Sequence, residues 1–202
     1  MIIGKSANNI YNRLYAIFNI ALIAFICIFT LYQPVCAADN TSEQESWSVI
    51  NGGSVKVYYE QGVDLQVISR KIAQRGLFFG GVFKSPPDGT PQEKIIYSAD
   101  RLVQRIKDIL GMYPQLPDLT IRIFVDRGGM NKEYFKMFGV VVDYDSYYIH
   151  AFRTIFTSED DISVSVMAHE LGHAIIDSYF SIVPPSKVSE VLASYVDAHL
   201  ED

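Results

Sequence analysis

Ser158-Glu159-Asp160-Asp161-Ile162-Ser163-Val164-Ser165-Val166-Met167-Ala168-His169-Glu170-Leu171-Gly172-His173-Ala174-Ile175-Ile176-Asp177 is the stretch on which the reading of this 202-residue chain turns. Positions 169–173 spell His-Glu-x-x-His, which on a helix sets two imidazoles one turn apart on one face with a carboxylate beside them. With four histidines and nine glutamates in the chain, chance placement would produce the pattern with a probability of roughly 0.3 %. The question is then whether the stretch is helical. Ser158 with Asp161 three residues on reads as a capping box, and three acids occupy the first turn, where the helix dipole favours them. From Asp161 to Asp177 only Gly172 interrupts, and Ile162, Val166, Ala168, Leu171, Ala174 and Ile175 cover a broad apolar stripe, so the spacing predicts a core-packed helix over 161–177. The β-branched Ile162, Val164 and Val166 would also suit a strand, but a strand would hold His169 and His173 about 13 Å apart.

A catalytic zinc site takes three protein ligands and leaves the fourth position to water. Downstream, Pro184-Pro185 closes one segment, Ser186 reads as an N-cap, and Lys187 to Leu200 reads as a second helix with Val188, Val191, Leu192, Tyr195 and His199 on its apolar side. Glu190 lies on another side with Ala193, Ser194 and Asp197, small or acidic residues that would let a neighbouring helix come close. The connection from Tyr179 to Pro185 is long enough for an antiparallel helical hairpin. No other His, Cys or Glu lies downstream on a comparable face, so Glu190 is the candidate third ligand, set against the reading of a solvated helix acid.

His169-Glu170-Leu171-Gly172-His173-Ala174, followed by Asp177 and by Ser189-Glu190-Val191-Leu192-Ala193-Ser194-Tyr195-Val196, resembles the gluzincin metallopeptidases, the thermolysin-like group whose third ligand is a Glu on the next helix. More narrowly it is similar to the small bacterial peptidase MA-like domains, although Val191 stands where those domains place a Gly after the Glu. The resemblance covers residues 54–202 and is specific in the last part of the chain. It implies an α+β, zincin-like fold: a mixed β-sheet with an antiparallel edge strand, packed against a metal-binding helix and a following Glu-bearing helix. It also implies that His169, His173 and Glu190 bind Zn2+ and that Glu170 is the general base. An edge strand over Tyr147–Phe152 would align an extended peptide by main-chain pairing.

The chemistry of the residues agrees. Zinc lowers the pKa of its water to about 7, and a carboxylate beside that water can take the proton and pass it to a leaving amine. Glu170, turned by about 100° from its ligand neighbour, suits that task. Tyr147, Tyr148 and His150 are candidate donors to a developing oxyanion, or else plain strand and core residues. Asp177 and Asp197 each lie two turns from a ligand and could hold an imidazole from behind. The expected function is a zinc-dependent peptidase, a gluzincin-like hydrolase acting on a peptide or protein substrate. The alternatives are a catalytically silent zinc-binding module and a hydrolase of non-peptide amides.

At the other end, Lys5 and Arg13 precede an apolar run from Ala16 to Tyr32, and Val35-Cys36-Ala37 resembles a cleavage site. Residues 1–37 therefore read as a signal peptide of an exported protein, periplasmic or secreted, with an uncleaved membrane anchor over 16–32 as the alternative. Cleavage would remove both cysteines, leaving a chain without disulfides. The formal charge of −6 argues against nucleic acid as a partner. Residues 38–46 read as a flexible lead-in and 47–202 as one metallopeptidase domain.

The remaining signals describe a scaffold. Asn51-Gly52-Gly53 between Trp47–Ile50 and Val55–Tyr59 predicts a hairpin, and Asp64 to Arg75 a helix. A loop is expected around Gly80-Gly81 and Ser85–Gly89. Thr90-Pro91-Gln92-Glu93 is a capping box opening a long helix that Gly111 ends. Leu119–Val125 predicts a strand, Asn131–Phe138 a short helix, and Val140–Val142 with Tyr147–Phe152 two further strands.

Overall fold

Asn51-Gly52-Gly53 does turn the chain: β1 (Trp47–Asn51) and β2 (Lys56–Glu60) pair antiparallel, with Trp47 opposite Glu60. The computed structural model describes residues 47–73 and 88–200, all within the unit Ser42–Asp202. The expected signal segment, the lead-in and most of the loop around Gly80-Gly81 lie outside the described residues, as does the end of the helix expected to reach Arg75. No described helix is long and apolar enough to cross a membrane.

Helix α1 (Leu65–Ala73) starts where Asp64 Oδ1 accepts from the amides of Gln66 and Val67. Helix α2 (Pro91–Leu110) has the anticipated ends. Thr90 and Glu93 cap each other's amides, Pro91 stands in the first turn, and Gly111 closes the helix in the left-handed region at φ 62°. Strand β3 (Thr120–Phe124) follows, then α3 (Arg127–Phe138), capped by Asp126. Next come β4 (Ser146–Ile149), a 3-10 turn over His150–Phe152, β5 (Thr154–Ser158), α4 (Val164–Tyr179) and α5 (Ser186–His199).

The sheet is mixed, in the order β1-β2-β3-β5-β4. Strand β3 runs parallel to β2 and β5, whereas β1 and β4 are antiparallel edges. Alternation along the strands sorts two cores. Val57, Ile121, Ile123 and Ile155 meet α1, α2 and α4 on one face, while Phe124, Tyr147 and Phe156 meet Met130 of α3 on the other.

Three expectations are corrected. Val140–Val142 forms no strand; Val140 and Val141 are exposed and carry no partner strand. The strand expected over Tyr147–Phe152 stops at Ile149, turns through Arg153 at φ 48°, and returns as β5, which the sequence reading had not separated from the helix approach. The motif helix begins at Val164 rather than Asp161. Asp161 N does donate to Ser158 Oγ at 3.3 Å, but the Asp161 carboxylate is engaged by Arg127, and Ser163 caps the helix proper by accepting from Val166 N.

Candidate metal centre

Because α4 is helical through 164–179, His169 and His173 share a face as the spacing required. What brings Glu190 to them is the seating of α5. Its buried residues are Ala193 and Val196, on the small-residue side anticipated to let a neighbouring helix come close, and Val188, Val191 and Tyr195 face outward, with Val191 69 % exposed. The contact is small against small: a Cβ placed on Gly172 would meet Ala193 Cα at 3.7 Å. Side chains this short let the two helices approach closely, and the face carrying Glu190, Ala193 and Asp197 turns toward α4. Ser186 is not the cap; Pro185 holds that place, its carbonyl accepting from Val188 N.

Among the described residues one cluster of His, Cys and carboxylate side chains converges as a metal site would, and it consists of His169, His173 and Glu190. His173 Nε2 lies 3.2 Å from His169 Nε2, Glu190 Oε1 lies 3.5 Å from His173 Nε2, and Glu190 Oε2 lies 3.6 Å from His169 Nε2. Donors about 2.0–2.1 Å from a tetrahedral zinc stand about 3.3–3.4 Å from one another. The three side chains therefore fit such an ion. Their chemistry fits as well. Asp197 Oδ2 stands 2.9 Å from His169 Nδ1; a carboxylate only accepts, so Nδ1 carries the proton and Nε2 keeps its lone pair toward the cluster. Burial lowers the pKa of His173, against an opposing pull from Glu190, and so favours the neutral, ligating imidazole.

Glu170 stands apart from the three. The residue is 6 % exposed, and its carboxylate accepts from Ser146 Oγ at 2.6 Å and from the Tyr148 amide as well. Burial pushes its pKa up, with the Ser146 hydrogen bond pulling the other way. A cleft lined by Tyr144, Ser146, His150, Glu170, Asp177 and Ser189 opens onto all three cluster residues.

The candidates nearby divide. Asp197 does hold a cluster imidazole. Asp177 does not: its Oδ2 accepts from Tyr148 Oη at 2.9 Å and from His150 Nδ1 at 2.5 Å, while its buried Oδ1 has no partner. Tyr147 Oη donates to the Met130 carbonyl on the opposite face of the sheet. His199 donates to the Tyr195 carbonyl, outside the cleft. Ser146 was missed by the sequence reading. Its only signal was the alternation that puts Ser146 and Tyr148 on the α4 side of β4, legible once the strand's limits are known. Compared with family models, with curated proteins and with solved structures, the chain gives no match.

Proposed function

We propose that this chain is a zinc-dependent peptidase of the gluzincin type, with His169, His173 and Glu190 holding the metal and Glu170 as general base. The observation that carries the reading is the convergence of two imidazole nitrogens, 3.2 Å apart, on the two oxygens of one carboxylate at 3.5 and 3.6 Å, all facing a cleft in which Glu170 stands beside them and is bonded to other partners. Zinc held there would supply Lewis acidity and a water that ionises near neutral pH. Glu170 accepts the proton of the attacking water and delivers it to the leaving amine. Among the described residues β4 is an antiparallel edge strand that borders the cleft, and an extended peptide would pair along it. Of the three candidate donors to the carbonyl oxygen, the hydroxyls of Tyr147 and Tyr148 are engaged, which leaves His150. With Asp177 accepting from its Nδ1, His150 would donate from Nε2 as an imidazolium, and its side chain is 60 % exposed in the cleft.

The test is a parallel zinc titration and cleavage assay on casein, a broad peptide library and small non-peptide amides. Stoichiometric zinc with peptide turnover is expected. Turnover of the amides alone would reassign the substrate class, and zinc binding without any turnover would make the domain a binding module.

A further inference from the structure

Ser146 reaches Glu170 from the first position of β4, where it pairs with Thr157 of β5. Residues 140–144 have no helix or strand, and the segment is tied to the start of α3. Asn131 Nδ2 donates to the Tyr144 carbonyl at 3.5 Å, and Arg127 pairs with Asp143 at 3.6 Å and with Asp145 at 2.8 Å. The same guanidinium binds both oxygens of Asp161, through Nε at 3.0 Å and through Nη2. Asp161 in turn accepts from Ser158 Oγ at 2.7 Å, in the turn that leads from β5 into α4. One planar, always-charged fork thus joins the segment that feeds Ser146 into β4 to the turn that feeds Glu170 into α4.

We propose that Arg127, Asp145 and Ser146 are positioning residues whose side chains act through the place they give the Glu170 carboxylate. The inference rests on Glu170 being the general base. A buried carboxylate held by a hydroxyl and a main-chain amide is oriented by both, and the hydroxyl's residue enters β4 directly after Asp145, which Arg127 binds, so the ion pair bears on the Ser146 end of the strand. Asp145 is 63 % exposed, so its replacement tests the linkage without opening the core.

The experiment uses the full chain as wild type, Asp145→Asn, Ser146→Ala, the double variant and Ser146→Thr. It measures kcat, KM and zinc affinity, together with the carboxyl 13C resonance of Glu170 in the metal-free protein at fixed pH, assigned by its loss in Glu170→Gln. Ser146→Ala should lower kcat about tenfold, as expected for loss of a hydrogen bond to a charged group, with KM and zinc affinity within about twofold. Ser146→Thr should restore most of it. Asp145→Asn should lower kcat less, and should add nothing in the Ser146→Ala background. Both single variants should move the Glu170 resonance. Equal effects of Asp145→Asn with and without Ser146, a change in KM alone, or an unmoved resonance in Ser146→Ala would each overturn the proposal. If zinc-loaded wild type cleaves no peptide, the peptidase reading fails, and the resonance alone decides the positioning chain: movement in both variants upholds it, none rejects it.

Discussion

At Glu170, burial and hydrogen bonding pull in opposite directions, and burial prevails: its pKa is raised although Ser146 and the Tyr148 amide favour the charged form. A carboxyl whose folded pKa lies above its unfolded value stabilises the fold below the unfolded pKa, about 4.3, and that contribution is lost as pH rises through the folded value. Glu170→Gln imitates the protonated form. Metal-free Glu170→Gln should therefore melt a few degrees higher than wild type at pH 7 and at the same temperature near pH 4; equal melting at both pH values would show that burial imposes no such cost. On the proposed peptidase reading, the same change in the zinc-loaded protein should leave affinity within a few-fold and reduce hydrolysis by roughly 10²–10⁴, the usual loss with a general base. Asp197→Asn acts differently. It removes the negative charge that the acceptor presents to His169 Nδ1–H and should weaken zinc binding by about 10–100-fold, as measured by chelator competition. Glu190 was legible because it lies on the helix after the motif. Ser146 was not, since its partner is 24 residues away and the link depends on strand limits that the sequence does not mark.

Between elements, the decisive contact is α4 on α5. Gly172 has room for a methyl group, with its nearest neighbours at 3.7 Å, and sits inside a helix where Ala is favoured over Gly by about 1 kcal/mol. Gly172→Ala should thus be neutral to slightly stabilising and keep zinc. Ala193→Leu, at a fully buried position facing Gly172, forces a larger side chain between the helices and should cost about 1–3 kcal/mol while displacing Glu190. A substantial loss of zinc affinity measured for Ala193→Leu but not for Gly172→Ala is the expected pattern; unchanged affinity in both would mean that the helix spacing does not place the ligand. The seating of α5 follows the small-residue side anticipated from Glu190, Ala193 and Asp197, while the larger apolar residues Val188, Val191 and Tyr195 stay exposed. Close helix approach rewards the smaller residue. Strand β5, by contrast, escaped notice. All five of its residues are buried, flanked by β3 and β4 and covered on both faces, so it lacks the alternation by which half-buried strands are recognised.

For the whole molecule, two junctions hold separate segments together, and each makes a prediction. His169, His173 and Glu190 join helices separated by the 180–185 connection, so zinc at about 100 times its dissociation constant should raise stability by about 2.7 kcal/mol, seen as an upward shift in thermal midpoint. Glu190→Ala should lose most of that shift. The second junction is Arg127 with Asp161. The guanidinium holds the Asp161 carboxyl below its usual range, so its stabilisation is complete above an unfolded pKa of about 3.9 and is lost as pH falls through the lower folded value. Asp161→Asn should be less stable than wild type at neutral pH, with the gap closing in acid. A gap that persisted unchanged to pH 2 would assign the effect to packing instead of charge.

The order of local signals determined much of this protein by itself. Caps at Thr90 and Gly111, the glycine turn at Asn51–Gly53 and the one-turn spacing of His169 and His173 act within a few residues, so they are fully present in the sequence. Tertiary structure alone decided that Val188, Val191 and Tyr195 of α5 stay exposed, that β5 lies between β3 and β4, and that Arg127 binds Asp145 and Asp161 together. Those outcomes depend on helix separation and on which strand edges are already paired. Both are properties of packing between distant segments, and no local pattern of residues encodes them.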